Sequence, residues 1–126
     1  MRKQLIFLTL FFSSLLWIAN SFAEKYDLYF VTTWFDNISH TLGGIVMAGL
    51  FIIFYDRILR RMPLRQSVFF FTFFIGVMWE FFELYKGLTN TGMRGYYIDT
   101  AGDIFFDMLG AGFTCLFAYR NNNSKH

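Results

Sequence analysis

Four long apolar stretches, separated by short polar connections, dominate the pattern of this chain. They cover about residues 5–23, 38–55, 67–85 and 101–119, and each is close to the roughly 20 residues that a helix needs to cross about 30 Å of hydrocarbon. Their Phe-rich and Leu-rich runs lack the period-two alternation of barrel strands, and a helix pairs its own backbone groups in lipid. The pattern predicts an all-α, polytopic membrane protein: one integral membrane domain over residues 1–126, built as a bundle of four transmembrane helices.

The first stretch has two interpretations. Arg2 and Lys3 precede an apolar run that ends in Ser21-Phe22-Ala23. Small residues such as Ser21 and Ala23, at the −3 and −1 positions of a cleavage site, are typical of a cleavable signal peptide. The length of the run also fits a retained anchor. The bundle has four helices if the stretch is retained and three if it is cleaved, while the orientation of the remainder is the same in both cases.

Composition agrees with a membrane location. Hydrophobic residues make up 56% of the 126 residues and aromatic residues 23%, which is more than a soluble domain of this size can bury in one core. The basic residues lie beside the apolar stretches and form no stripe on a soluble surface, so no nucleic-acid partner is expected. Membrane lipids are the expected partners.

The distribution of Lys and Arg predicts the orientation. One side of the predicted membrane carries Arg2, Lys3, Arg57, Arg60, Arg61, Arg65, Arg120 and Lys125. The other side carries only Lys25, Lys86 and Arg94. Cytoplasmic loops are enriched in Lys and Arg, so both termini are expected in the cytoplasm.

Seven ionisable side chains lie within or at the ends of the last three stretches, all toward the same, extracytoplasmic side. They are Asp36, His40, Glu80, Glu83, Asp99, Asp103 and Asp107. Such groups are costly in a membrane and tend to face a protein interior, and Asp107 is the deepest, about 12 Å along its helix from Asp99. Small residues beside them would let the helices approach closely: Gly43, Gly44, Ala48, Gly76, Gly110 and Gly112. We therefore predict one shared polar site.

Most of these residues, taken singly, also have simpler interpretations. Asp36 can cap its helix, and Asp99 or Thr100 can cap the last helix, with Asp103 in its first turn, where it complements the helix dipole. His40 can be a neutral residue hydrogen-bonded between helices, and the two glutamates can mark where their helix reaches water. Asp107 is the hardest to explain in this way, because no interface lies within a turn of it.

One imidazole among carboxylates suggests a metal site. Carboxylate oxygens suit Mg²⁺, Mn²⁺ or Ca²⁺, and a histidine admits Zn²⁺ or Fe²⁺. The candidate metal ligands are Asp36, His40, Glu80, Glu83, Asp103 and Asp107. Arg94 and Asp99 are candidate substrate-binding residues in the outer region, where Arg94 can contact an anionic head group. The sequence has no His-Glu-x-x-His motif and no serine or cysteine nucleophile with an evident histidine base, so catalytic residues stay unassigned.

Three blocks of sequence resemble a known group. These are Asp36-x-x-x-His40-x-x-Gly43, Trp79-Glu80-x-x-Glu83, and Asp99-Thr100-x-x-Asp103 followed by Gly110-Ala111. In this order they resemble the YjdF-like small bacterial membrane proteins and, more loosely, the VanZ-like proteins, whose name is attached to glycopeptide resistance. The resemblance implies a bacterial cytoplasmic (inner) membrane protein. Asp107 stands where the VanZ-like pattern suggests Asn, and the spacing from Arg94 to Asp103 is longer.

Three functions are compatible with this sequence. The first is a metal-dependent membrane enzyme that acts on a lipid or lipid-linked head group, with Mg²⁺, Mn²⁺ or Zn²⁺ as the ion. The second is a proton- or cation-coupled carrier subunit, in which carboxylates change protonation. The third is a structural membrane partner without catalysis.

Overall fold

The computed structural model describes residues 2–32, 34–58, 64–89 and 91–123. It contains α1 (Arg2–Tyr26), the short α2 (Leu28–Val31), α3 (Trp34–Ile58), α4 (Leu64–Lys86) and α5 (Tyr96–Asn123), and these ranges include no strand. The four long helices are each long and apolar enough to cross a membrane. The predicted all-α bundle of four transmembrane helices is confirmed.

Each long helix begins before its apolar stretch and continues past it. The α3 helix begins at Trp34 rather than 38, and α5 begins at Tyr96 rather than 101; likewise α1 extends beyond 5–23 and α4 beyond 67–85. A hydropathy pattern marks only the hydrocarbon layer, whereas helices continue through the interface, where polar and aromatic side chains are favourable. The interpretation of Asp36 and Asp99 as caps is therefore wrong, because both lie in first turns of helices.

The end of α4 is fixed by a glycine. Gly87 has a φ of 70°, a left-handed conformation that glycine adopts without a Cβ penalty. Its N–H donates to the Leu84 carbonyl at 3.1 Å, and the Leu88 N–H donates to the Glu83 carbonyl at 3.0 Å. This pair of bonds is a Schellman motif, which terminates helices. It places Glu83 in the last turn of α4 and Glu80 one turn earlier.

The α3 helix lies at the centre of the bundle, against α1, α4 and, most extensively, α5. Backbones touch where α3 meets α5: a Cβ on Gly44 would collide with the Asp107 carbonyl, and a Cβ on Gly110 would collide with the Thr41 carbonyl. Glycines thus permit the close approach expected from the sequence. As a result, the N-terminal halves of α3 and α5 lie side by side.

An apolar core lies in the middle of the bundle, beyond the polar end. Ala48, Phe51, Val68 and Ala111 are buried together, and the Phe51 ring stacks on Phe71 with centroids 4.7 Å apart. The bundle is therefore polar toward one end and apolar in its middle.

The α1 helix packs on one side of the bundle, against α3. Thr9 and Ala23 are buried, and the Thr9 hydroxyl lies against Gly49 of α3 while it donates to the Leu5 carbonyl at 2.8 Å. Ala23, which would precede the cleavage site of a signal peptide, is fully enclosed.

Candidate functional site

His40 is the centre of the polar end of the bundle. Its Nε2 lies 3.6 Å from Asp36 Oδ1 and 3.8 Å from Asp103 Oδ1, and its Nδ1 lies 3.3 Å from Asp107 Oδ1. His40, Asp103 and Asp107 are buried, while Asp36 is half-buried. The ionisable residues of α3 and α5 thus lie together, as the prediction of a shared polar site requires.

The two ring nitrogens of His40 face different partners. Nε2 faces the carboxylates nearer the helix ends, Asp36 and Asp103, and Nδ1 faces the deeper Asp107. Asp36, His40 and Asp103 each offer one ligand atom, and these three atoms lie within 4.8 Å of one another. We call these three residues the triad. They form a group that can hold a metal ion, as the sequence suggested for each of them.

Asp107 occupies a slot made by glycines. A Cβ on Gly76 of α4 would lie 2.6 Å from Asp107 Oδ2, and a Cβ on Gly43 of α3 would lie 3.8 Å from Oδ1. The Asp107 carboxylate therefore reaches His40 between the backbones of two helices. Any side chain at position 76 would have to displace it.

The two glutamates of α4 lie outside the triad and have partners of their own. The Thr100 hydroxyl donates to Glu80 Oε2 at 2.8 Å. The Trp79 indole N–H donates to Glu83 Oε1 at 2.8 Å. Glu80 is buried and Glu83 is half-buried. Neither belongs to the group whose ligand atoms lie together, so the prediction that they bind metal gains no support from the structure.

The candidate substrate-binding residues lie at the same end, on the surface. Arg94 is exposed in the α4–α5 connection, and Asp99 is exposed in the first turn of α5. The Asp99 amide donates to the Gly95 carbonyl at 3.0 Å. Both residues are thus accessible from outside the bundle, and their contact with a substrate stays a prediction.

Two polar residues acquire a role that the sequence pattern did not indicate. Thr100, considered only as a helix cap, donates a hydrogen bond from α5 to Glu80 of α4. The Tyr29 hydroxyl of α2 donates to Asn20 of α1. The Ser39 hydroxyl of α3 lies 3.1 Å from the Tyr29 oxygen and can therefore donate to it. The Tyr29 hydroxyl thus joins α1, α2 and α3. Polar residues inside apolar runs, such as Asn20 and Ser39, are the signal that can reveal such contacts.

Comparison with known proteins identifies the family at a general level. The family model described as a predicted membrane protein, DUF2238, matches residues 1–124. The chain belongs to this family. No curated protein and no solved structure matches the sequence. Membership in DUF2238 agrees with the four candidate spans, and the resemblance to the YjdF-like and VanZ-like groups stays a prediction.

Proposed function

We propose that the triad of Asp36, His40 and Asp103 binds a divalent metal ion. Zn²⁺ ligands lie about 2.0–2.1 Å from the ion, so two ligands of a tetrahedral site are roughly 3.3 Å apart. The distances from His40 Nε2 to the two carboxylates are 3.6 and 3.8 Å. Small side-chain rotations would therefore bring all three ligand atoms onto one ion.

The contact of Asp107 with the opposite ring nitrogen carries this proposal. When the Nδ1–H of His40 donates to Asp107, the lone pair of Nε2 points toward Asp36 and Asp103. Histidines that bind metals nearly always donate their other N–H to a carboxylate or carbonyl, which fixes the tautomer and raises ligand basicity. In this arrangement Asp107 is a positioning residue, and the six ligands expected from the sequence are reduced to three.

The donor set favours particular ions. An imidazole with two carboxylates suits Zn²⁺ or Mn²⁺ better than Mg²⁺, which prefers oxygen ligands and keeps its waters. Three protein ligands leave a coordination position for a water or a substrate oxygen, as in catalytic zinc sites.

The proposed activity is that of a bacterial inner-membrane enzyme on a lipid or lipid-linked head group. An ion held by the triad would polarise a phosphoryl or carbonyl oxygen and lower the pKa of water. Asp36 is the half-buried member of the triad, so the site would be reached past this residue. The exposed Arg94 would attract an anionic head group. The resemblance to the YjdF-like and VanZ-like groups supports the bacterial location.

A second function is favoured by one observation. The imidazole of His40 bridges Asp36 and Asp103 on one side and the deeper Asp107 on the other. This is the arrangement of a proton relay, in which histidine accepts a proton at one nitrogen and releases one from the other. A proton-coupled carrier subunit is therefore the alternative.

Substitution of Asp107 tests the metal proposal against the relay. We expect Asp107→Asn to bind Zn²⁺ about 10-fold more weakly and Asp107→Leu about 100-fold more weakly, because each change weakens or removes the carboxylate that orients His40. Isothermal titration of the purified protein in detergent measures both affinities. The exposed Asp99→Asn, on the same helix, is the matched control and should bind as the wild type does. Unchanged Zn²⁺ affinity in Asp107→Leu would remove Asp107 from the site.

Orientation is tested independently of chemistry. A reporter inserted at Gly92 is expected on the extracytoplasmic side, and a reporter at Arg61 or after His126 is expected in the cytoplasm. The reason is that eight of the eleven Lys and Arg residues lie on the predicted cytoplasmic side. Paired alkaline phosphatase and fluorescent protein fusions measure this. A cytoplasmic signal from Gly92 would move the triad to the other face of the membrane.

A further inference from the structure

A groove lies between α4 and α5, and its lining residue Ile104 directly follows Asp103 of the triad in the chain. It has a volume of about 140 Å³ and opens at the surface of the bundle. Its largely apolar walls come from Val77, Phe81, Leu84, Tyr96 and Ile104. Its remaining lining residues, Glu80 and Thr100, are polar and are hydrogen-bonded to each other.

Glu80 lines the groove, and one of its carboxyl oxygens lacks a hydrogen-bond partner. Glu80 Oε1 is buried, and no group among residues 2–32, 34–58, 64–89 and 91–123 donates to it. Glu80 is only 6% exposed, so water is largely kept from its side chain. A buried acceptor left unpaired destabilises the folded protein. A ligand in the groove that donated one hydrogen bond to Oε1 would remove this destabilisation.

We propose that this groove binds the hydroxyl end of a neutral lipid alcohol. One unpaired acceptor with apolar walls matches one hydroxyl donor on a hydrocarbon chain, whereas an ammonium group has three donors to satisfy. A phosphate would place negative charge against the carboxyl group of Glu80. Glu80 lies six residues before Lys86, about 9 Å deeper along the helix, at a depth that an uncharged lipid hydroxyl reaches at low cost.

This lipid site does not require a metal ion. Glu80 is outside the triad, and its partner is Thr100 rather than His40. The alcohol site therefore goes beyond the proposed metal function, and the two proposals can be tested independently. If both sites exist, the groove would hold a lipid beside the ion.

The test compares an alcohol with its ester in wild-type protein. Native mass spectrometry of the detergent-purified protein would measure binding of dioleoylglycerol and of acetylated dioleoylglycerol, which has the same chains without the donor. We expect roughly tenfold preference for the alcohol, the value of one well-formed hydrogen bond. A long-chain isoprenoid alcohol and its acetate, measured in the same way, show which class of alcohol fits better. Equal binding of alcohol and ester in both pairs overturns the proposal without any variant.

Substitutions then locate the site. Glu80→Met removes both acceptor oxygens at similar volume and should abolish the preference, while Glu83→Met, one turn away and bonded to Trp79, should keep it. A preference that persists in Glu80→Met would place the alcohol elsewhere and contradict the assignment. Zn²⁺ binding measured on the same samples should be retained in Glu80→Met, so failure of the lipid site and failure of the metal site are distinguishable.

Discussion

Replacing Gly44 or Gly110 with alanine is expected to disrupt the bundle more than any other single methyl group added to the chain. At both positions the new Cβ would collide with backbone atoms of the facing helix, the Asp107 carbonyl in one case and the Thr41 carbonyl in the other. Backbone atoms within packed helices have little room to move, so α3 and α5 would have to separate. Overpacking typically costs 1–3 kcal/mol, and we expect about 3 kcal/mol or more here, measured by thermal unfolding in detergent.

Gly102 provides the matched control for this experiment. It lies in the same helix as Gly110, and a Cβ there has no atom within 4 Å. Gly102→Ala should therefore be neutral or stabilising by up to about 1 kcal/mol, the difference in helix propensity. If Gly110→Ala were as stable as Gly102→Ala, the close packing of α3 on α5, and with it the geometry of the triad, would be wrong.

Removing the imidazole of His40 is expected to abolish metal-dependent stabilisation. A ligand that binds only the folded state stabilises it by about 2.7 kcal/mol at 100 times its Kd, so Zn²⁺ should raise the unfolding temperature of the wild type. His40→Ala and Asp103→Asn should show no such rise, because the first removes one of the three ligands and the second replaces a charged carboxylate with a neutral amide, a much weaker ligand. Unfolding followed by differential scanning fluorimetry, with and without Zn²⁺, measures the change.

The comparison must be made within each variant. His40→Ala leaves the buried Asp103 and Asp107 without their partner, which lowers stability even in the absence of metal. The metal-induced rise is free of this effect. Glu83→Gln, outside the triad, should keep the full rise, and a rise of wild-type size in His40→Ala would contradict the proposed ligand set.

The fold could be predicted from the sequence because membrane spans leave a strong signal. Four apolar stretches gave the number and type of the long helices, and the reversal of direction at each connection placed Asp36, Glu80 and Asp103 at one end. Helix ends were less predictable, because α3 and α5 begin among polar residues that a hydropathy pattern excludes. The end of α4 at the Schellman motif of Gly87 could in principle be predicted, because a glycine directly after an apolar helix is a helix stop signal.

The detailed partners within the site could not be predicted, since they depend on how each helix is rotated. Glu80 and Glu83, three residues apart, were grouped as ligands by spacing alone. In the structure one bonds Thr100 of α5, and the other bonds Trp79 of its own helix. Likewise, only the packing against Gly43 and Gly76 directs Asp107 to the Nδ1 side of His40. A sequence pattern gives the face of a helix, not the atom that its side chains contact.

The metal content of the purified protein tests the central proposal most directly. Wild-type protein and Asp103→Asn would be dialysed against buffered Zn²⁺ or Mn²⁺ in detergent, and the bound metal measured by inductively coupled plasma mass spectrometry with excess Mg²⁺ present. We predict one ion per wild-type chain and none in Asp103→Asn. Wild-type protein that binds neither ion, or an Asp103→Asn variant that binds as much as the wild type, would contradict a metal site at Asp36, His40 and Asp103.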